Sequence, residues 1–210
     1  SDIVLLGIKP QQFSEVLPPL AEHLKAQLVI SVAAGVTTAQ IENILGHEVA
    51  VIRAMPNTPA LVGRGVTGFC SGKKVQDSDR SLTETLLNAN GTALAIDEEE
   101  INALTAISGS GPAYFYLLAE ALSEAGRKEG LAQETAQKLA SETLIGAGLL
   151  LAARDLSPRE LRSEVTSPNG VTHAAIETFQ NQNFQTIVDQ VVRRAIERGE
   201  ELAKEQDEKQ

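Results

Sequence analysis

Cysteine and basic residues are scarce in this 210-residue sequence, and each shortage excludes something. The single cysteine, Cys70, excludes a disulfide within the chain and is typical of a reducing compartment, so a cytoplasmic location is expected. Cys70 and 3 scattered histidines lack the spacing of metal ligands, and no metal site is predicted. With 18 basic and 28 acidic residues the formal net charge is -10, which argues against nucleic acid or an anionic membrane as a partner.

Long apolar runs and a recognisable cofactor loop are also missing. No run approaches the roughly 20 apolar residues that span a bilayer, and the first residues do not resemble a signal peptide. The pyrophosphate of a dinucleotide normally binds a Gly-x-Gly-x-x-Gly loop that follows a strand and opens a helix. No such loop follows a predicted strand here and opens a helix. The chain opens inside an apolar run rather than at methionine. If its sheet binds a dinucleotide, we therefore expect that first strand and glycine-rich loop upstream of Ser1.

The first half of the chain alternates strand-like and helix-like runs. Helical spacing predicts a helix after each of the first, second and fourth strands, the first of them interrupted by Pro18-Pro19. The first strand is continuously apolar, which predicts burial on both faces. This alternation indicates βαβ units on a mostly parallel sheet. The predicted strands are Ile3–Ile8, Leu28–Val32, Val49–Arg53, Val66–Cys70 and Gly91–Ile96.

After Asp97 the strand signals disappear and helices follow. The acidic run Asp97–Glu100 suits a first helical turn because carboxylates complement the helix dipole there. Ser108–Tyr114 is predicted to interrupt or kink this helix. The fold class is therefore α/β followed by all-α. A partial Rossmann-like dinucleotide-binding domain is predicted at 1–97, and an all-helical substrate and dimerisation domain at 98–210.

Two long helices follow in the second domain. The helix from Gln133 to Arg154 places Ala136, Leu139, Ala140, Leu144, Ala147 and Leu151 on one face. Gly146 and Gly148 lie inside this helix at a cost of about 2 kcal/mol relative to alanine, which close contact with another helix, including one from a second subunit, would offset. The last helix is predicted from Phe184 to Lys204, with Ile187, Val191 and Ile196 facing inward and a frayed, solvated tail.

A polar turn, Val165 to His173, separates two of the predicted helices. Pro168 lacks a backbone donor, and Asn169-Gly170 tolerates positive φ. Thr172 then lies in or near the first turn of the next helix, where free N–H groups attract a small anion such as a carboxylate. Taken alone, the turn is equally consistent with an ordinary capped joint between helices.

Three turns built of small residues follow successive strands of the first half. In parallel sheets ligands bind beyond the carboxyl ends of the strands, so these backbones are candidates to approach a flat or charged ligand. Each turn alone is also typical of an ordinary strand-to-helix connection. The turns are Gly7–Pro10, Val32–Gly35 and Met55–Pro59.

Together these motifs resemble the pyrroline-5-carboxylate reductase family, in family order and across essentially the whole chain. The turn at Thr166–Thr172 resembles the family's diagnostic motif, with Asn169 in place of its first glycine. Gly7-Ile8-Lys9-Pro10 is usually Ala-Val-Lys-Pro in the family. The other matching runs are Val32–Thr37, Arg53–Pro59 and Ser108–Tyr114.

The resemblance implies the last step of proline biosynthesis. A nicotinamide cofactor, NADPH in most members and NADH in others, delivers hydride to the C=N carbon of Δ1-pyrroline-5-carboxylate, and the product is L-proline. The family has a Rossmann domain followed by a helical dimerisation domain, and its active site lies between the cofactor domain and the helical domains of a homodimer. Some members assemble their dimers into a ring decamer.

Site residues follow from the same resemblance. Thr172 is the expected catalytic residue, an orienter or proton relay at the ring nitrogen, because a threonine hydroxyl is too weak an acid to act alone. Glu98 is expected near the substrate, although it equally fits a helix cap. The expected substrate-binding residues are Glu98, Val165, Thr166, Ser167, Pro168, Asn169, Gly170, Val171 and Thr172. The expected cofactor-binding residues are Gly7, Ile8, Lys9, Pro10, Val32, Ala33, Ala34 and Asn57.

Two alternatives to this reading remain. One is a reductase of the same architecture that acts on another small imine or keto acid. The other is a non-catalytic dimerising fragment, held together by the helix that contains Gly146 and Gly148. A strand and glycine-rich loop upstream of Ser1 would favour either reductase over the fragment.

Overall fold

The structure, a computed structural model, describes residues 2–207, with side chains up to Lys204. The chain divides into two compact units. The first, here the sheet unit, comprises Ser1–Pro112 with Val192–Gln210, and the second, here the helical unit, comprises Ala113–Val191. The predicted domain limit between residues 97 and 98 stays a prediction.

A five-stranded sheet forms the centre of the sheet unit, with its strands in chain order from β1 to β5. All neighbouring strands are parallel except β3 and β4, which are antiparallel. The mostly parallel sheet is therefore confirmed. The strands are β1 Ile3–Leu6, β2 Leu28–Ser31, β3 Ala50–Met55, β4 Gly65–Ser71 and β5 Gly91–Ala95.

Helices and turns connect the strands, and after β5 the described residues form helices joined by turns without a further strand, which confirms the change from α/β to all-α. The α-helices are α1 Phe13–Ala21, α2 Thr38–Leu45, α3 Asp77–Asn88, α4 Ile101–Leu104, α5 Gly111–Lys128, α6 Gln133–Ala153, α7 Pro158–Glu164, α8 Val171–Asn181 and α9 Phe184–Asp207. Short 3-10 helices occupy Pro10–Gln12, Thr58–Val62 and Glu98–Glu100, and a π-helix occupies Thr105–Gly109. The π-helix is the predicted interruption before α5. No helix among residues 2–207 combines the length and apolar character needed to cross a membrane.

Two apolar clusters cover the two faces of the sheet because strand side chains alternate in direction. Val29 and Val51 pack with Phe13 of α1 and Ile41 of α2 on one face. On the other face the buried residues are Leu28, Ile30, Ile52, Ala54, Phe69 and Ala93. Each large side chain that is fully buried contributes about 1.5–3 kcal/mol, so these clusters fix the sheet and thereby the turns at its edge.

Two expectations about the first strand and helix are wrong. Strand β1 is not buried on both faces, because Leu5 is 65% exposed while Leu6 is buried. It lies at the edge of this sheet, and Leu5 points away from the cluster that covers Leu6. Helix α1 continues through Pro18 and Pro19 instead of breaking there. The full burial of Phe13 and Leu17 holds it in place, and it ends two residues after the second proline.

The described residues cover the apolar faces predicted for the long helices only in part. Of residues 113–191 only Ala136 and Ala140 are buried. Leu139 on α6 is 53% exposed, and Ile187 on α9, predicted to face inward, is 50% exposed. The other exposed members of these predicted faces are Ala147, Leu151 and Val191. The inward orientation predicted for Ile187 and Val191 is therefore wrong within one chain, because the spacing shows which face is apolar but not what covers it.

The structure also describes the two glycines inside α6 and the C-terminal end of α9. A Cβ added at Gly146 or Gly148 would meet no atom within 4 Å, so the close helix contact expected there is not made within this chain. The tail from Glu200 to Gln210 was expected to be solvated or frayed; it is helical as far as Asp207, and Glu200, Leu202 and Lys204 are exposed. Residues 208–210 of that tail lie outside the described residues.

Candidate functional site

Three turns lie at one edge of the sheet. Strands β1, β2 and β3 are adjacent and parallel, so their carboxyl ends, and the turns Gly7–Pro10, Val32–Gly35 and Met55–Pro59 that follow, share that edge. Gly7 is exposed, and a Cβ there would face open space, so a ligand can approach its backbone. Gly35 has a φ of 76°, in the left-handed region that favours glycine.

The second turn leads directly into a capped helix. Ala33 is buried, and its N–H donates to Ser31 Oγ at 3.3 Å, so this backbone donor is already engaged within the turn. Thr37 caps α2 by accepting from the N–H of Gln40 at 3.2 Å. At the other end, Gly46 has a φ of 100°. The helix predicted after the second strand is confirmed.

Glu98 holds the beginning of α2 from 60 residues away. Its Oε1 accepts from the Thr38 N–H at 2.8 Å, and its Oε2 accepts from Thr38 Oγ1 at 2.8 Å. Arg53 Nη1 on β3 donates to the same Oε1 at 3.2 Å. Glu98 also lies in the first turn of the 3-10 helix Glu98–Glu100, where the acidic run was predicted. Its expected contact with the substrate stays a prediction. Glu100 makes a local contact, accepting from the Asp97 N–H at 3.0 Å.

Arg53 and Thr38 are the site residues that the sequence analysis missed. Arg53 is 6% exposed and Thr38 is 6% exposed. A signal for Arg53 was present, because an arginine inside an otherwise apolar strand requires a buried partner. The sequence offered no means of identifying that partner as Glu98.

Cys70 lies opposite Arg53 in the β3–β4 pairing and is 4% exposed. Burial raises the pKa of its thiol to about 11, and the negative charge of Glu98 acts in the same direction. The thiol is therefore protonated at neutral pH and a poor nucleophile. Cys70 belongs to the buried core.

Asn57 braces the third turn. Its Nδ2 donates to the backbone oxygen of Ser108 at 2.9 Å, and its Oδ1 accepts from the Val66 N–H at 2.8 Å. The amide thus joins the turn to the start of β4 and to the π-helix. Its expected contact with the nicotinamide stays a prediction.

Glycines with dinucleotide-loop spacing are present but serve packing. Gly63, Gly65 and Gly68 form a Gly-x-Gly-x-x-Gly series, yet Gly65 and Gly68 lie within β4. A Cβ at Gly68 would collide with the side chain of Leu104. Among the described side chains, no group of three His, Cys, Asp or Glu is placed to hold a metal ion.

In the helical unit, the polar turn connects α7 to α8. The N–H of Gly170 donates to the Ser167 oxygen at 3.0 Å, and Asn169 has a φ of 58°. Asn169 thus adopts the predicted left-handed conformation, whereas Gly170, with a φ of -82°, does not. Thr166 Oγ1 donates to the Arg162 oxygen at 2.6 Å, which fixes the start of the turn.

Thr172 is the second residue of α8, as predicted for the first turn of a helix. Gly170 is the N-cap and offers no side chain to the free N–H groups. Val171 is 92% exposed, and Thr172 is also exposed. The end of α8 therefore presents uncapped backbone donors beside a hydroxyl.

Known proteins resemble both the sequence and the structure. A family model described as pyrroline-5-carboxylate reductase dimerisation matches residues 98–202. The pyrroline-5-carboxylate reductase of Pseudomonas aeruginosa is 44% identical over 98% of this chain and 76% of its own length. Pyrroline-5-carboxylate reductase 2 of Bacillus subtilis is 38% identical over 96% of this chain and 73% of its own length.

Two solved structures have the same fold at substantial identity. A pyrroline-5-carboxylate reductase from Coxiella burnetii superposes with a TM-score of 0.92 at 38% identity, covering 97% of this chain and 76% of that chain. The Plasmodium falciparum pyrroline carboxylate reductase with NADP bound gives a TM-score of 0.84 at 32% identity, covering 96% of this chain and 77% of that chain. The chain therefore belongs to the pyrroline-5-carboxylate reductase family.

Proposed function

We propose that this protein reduces Δ1-pyrroline-5-carboxylate to L-proline with NADPH. The observation that carries the proposal is the 44% identity to a pyrroline-5-carboxylate reductase over nearly the whole chain. The reaction is an oxidoreduction at a C=N bond and completes proline biosynthesis. The single buried cysteine carries a free thiol, which suits the proposed cytoplasmic location.

The three turns of the sheet unit fit a dinucleotide. They lie together at the carboxyl edge of parallel strands, and the open space at Gly7 lets a ligand reach the backbone. Bound NADPH, or NADH in its place, would supply the hydride. The residues proposed to hold it are Gly7, Ile8, Lys9, Pro10, Val32, Ala33, Ala34 and Asn57.

The turn before α8 is proposed to bind the substrate carboxylate. A helix N-terminus carries a partial positive charge and N–H groups without intrahelical partners, and α8 has no side-chain cap. Fixing the carboxylate orients a small ring that offers few other contacts, and such positioning supplies much of the catalysis. Residues 165–171 are proposed to contribute this binding surface.

Thr172 is proposed to contact the ring nitrogen. Its hydroxyl can donate one hydrogen bond and accept another, so it can orient the nitrogen or pass a proton to it. A hydroxyl is too weak an acid to protonate the imine unaided, and the proton therefore arrives with the substrate or from water. Thr172 lies on a helix rather than a mobile loop, which limits its motion relative to the carboxylate site.

A second copy of this chain is proposed to cover the helical unit. Its α5 and α6 expose large apolar side chains, including Leu117 at 64% and Leu149 at 60%, and Gly146 and Gly148 leave room for a close helix. Contiguous exposed apolar area of this kind marks an interface in a stable protein. The resulting homodimer is the proposed active unit. Assembly of dimers into a ring decamer is a further proposal, which sedimentation velocity tests directly.

The decisive experiment measures proline formed from Δ1-pyrroline-5-carboxylate by the whole protein, with NADPH and NADH compared at equal concentrations. We expect turnover with a lower KM for NADPH. Reduction of a different small imine or keto acid, without proline formation, would overturn the proposed substrate. An absence of any dinucleotide-dependent turnover would overturn the enzyme assignment itself.

A further inference from the structure

Glu98 joins two of the turns that are proposed to hold the dinucleotide. One end of the connection is Thr38, the first residue of α2, which follows the turn Val32–Gly35. The other end is Arg53 on β3, two residues before the turn Met55–Pro59 begins. A single carboxylate therefore fixes both segments at the same edge of the sheet.

The geometry uses both carboxylate oxygens. Oε1 accepts from the Thr38 N–H at 2.8 Å and from Arg53 Nη1 at 3.2 Å, and Oε2 accepts from Thr38 Oγ1 at 2.8 Å. The Arg53 side chain is 8% exposed and that of Glu98 is 32% exposed. Charge-assisted bonds that are largely shielded from water hold a fixed geometry more firmly than neutral surface bonds.

The position of Glu98 makes this connection specific. The carboxylate occupies the N-terminus of α2, the point at which an anion would otherwise bind that helix. The negative groups of the dinucleotide are thereby excluded from the N-terminus of α2. Glu98 is also the first residue of the region that matches the dimerisation family.

We propose that Glu98 is a positioning residue for the nicotinamide dinucleotide, which it does not touch. It sets the spacing between the turns at Val32–Gly35 and Met55–Pro59. This inference rests on the proposed function, because it requires those turns to bind the cofactor. It differs from the role predicted from the sequence, in which Glu98 contacts the substrate. Loss of a positioning role should raise the dissociation constant of NADPH, whereas loss of a substrate contact should raise the substrate KM.

The test compares Glu98→Ala, Glu98→Gln, Thr38→Val and the double variant Glu98→Ala with Thr38→Val in the whole protein. The dissociation constant of NADPH is measured by fluorescence titration, and the KM of Δ1-pyrroline-5-carboxylate by steady-state assay. Glu99→Gln is the matched control, because it removes the same charge from the exposed neighbouring residue.

We expect Glu98→Ala to raise the NADPH dissociation constant at least about tenfold, since small displacements far from the chemistry have effects of this size. The substrate KM should stay within about twofold of the parent value. Glu98→Gln keeps an oxygen for the Thr38 N–H and should recover part of the loss. The effects of Glu98→Ala and Thr38→Val should not add, because both remove the same contact.

Three results would overturn the inference. One is an unchanged NADPH dissociation constant in folded Glu98→Ala, whatever its melting temperature. A second is a rise in the substrate KM alone, which would place Glu98 at the substrate. If Glu98→Ala does not fold, an unchanged dissociation constant in both Glu98→Gln and Thr38→Val has the same consequence. Failure of the parent protein to bind NADPH would overturn the proposed function as well, so the two failures are distinguishable.

Discussion

Asn57 donates from Nδ2 to the backbone oxygen of Ser108 at 2.9 Å, across 51 residues of sequence. This bond fastens the turn after β3 to the π-helix Thr105–Gly109. Pro112, four residues after Ser108, has no N–H to donate to that oxygen, and Asn57 supplies a donor instead. Gly109 packs against the same turn, since a Cβ there would stand 3.3 Å from Met55 Cε.

Asn57→Ala should destabilise the fold by about 2–4 kcal/mol, because it leaves the Val66 N–H and the Ser108 oxygen without their partner. Asn57→Asp should recover only part of this, since aspartate can accept from Val66 but cannot donate to Ser108. Urea denaturation measures both losses. Asn181→Ala, at an exposed position at the end of α8, is the control and should change stability by less than about 0.5 kcal/mol. A loss for Asn57→Ala no larger than that of the control would contradict the bracing role.

Local patterns were enough to predict much of the sheet unit and part of the turn before α8. The βαβ alternation and the left-handed Asn169 each depend on a few neighbouring residues, so the sequence contains the whole cause. Contacts such as Glu98 with Thr38 join segments 60 residues apart, and no local pattern specifies them. The inward orientation predicted for Ile187 and Val191 on α9 failed for a related reason. Spacing identifies an apolar face such as that of Leu139, but what lies against it depends on other segments or other chains.

The Cys70 thiol should make stability fall in alkaline solution. Burial raises its pKa from 9.0 to about 11, so the folded state holds the proton more tightly than the unfolded chain does. Its contribution to the free energy of unfolding is therefore complete below pH 9 and is lost as the pH rises through 11. Urea denaturation between pH 8 and pH 11 should show a steeper decline for the parent protein than for Cys70→Ala. Parallel declines would show that the thiol does not contribute.

The Gly146→Ala variant tests whether α6 is exposed to solvent or packs against a second copy of the chain. Within one chain the added Cβ meets no atom within 4 Å, so a free helix should gain about 1 kcal/mol in stability from alanine. If a helix of a partner subunit lies there, overpacking should cost about 1–3 kcal/mol of dimer stability. We expect the second result, measured as a raised dimer dissociation constant in sedimentation equilibrium.

Gly199→Ala on α9 is the matched control for this experiment. Its added Cβ would stand 3.4 Å from Asn102 Oδ1, an ordinary contact within the sheet unit. The control should leave the dimer dissociation constant unchanged. A Gly146→Ala protein that is more stable and equally dimeric would remove α6 from the proposed interface.

Thr172 provides the most direct test of the proposed chemistry. Thr172→Val keeps the shape and β-branching of the side chain but removes the hydroxyl, so α8 and the turn before it should persist. If the hydroxyl orients or relays a proton to the ring nitrogen, kcat should fall by about 10²-fold, the lower end of the range for positioned proton-transfer groups. Thr172→Ser restores the hydroxyl with one more free rotation and should recover most of the rate.

Because the carboxylate is proposed to bind the backbone N–H groups, the substrate KM should change little in either variant. A large rise in KM at constant kcat would instead make Thr172 a binding residue, and full activity of Thr172→Val would exclude the hydroxyl from the reaction.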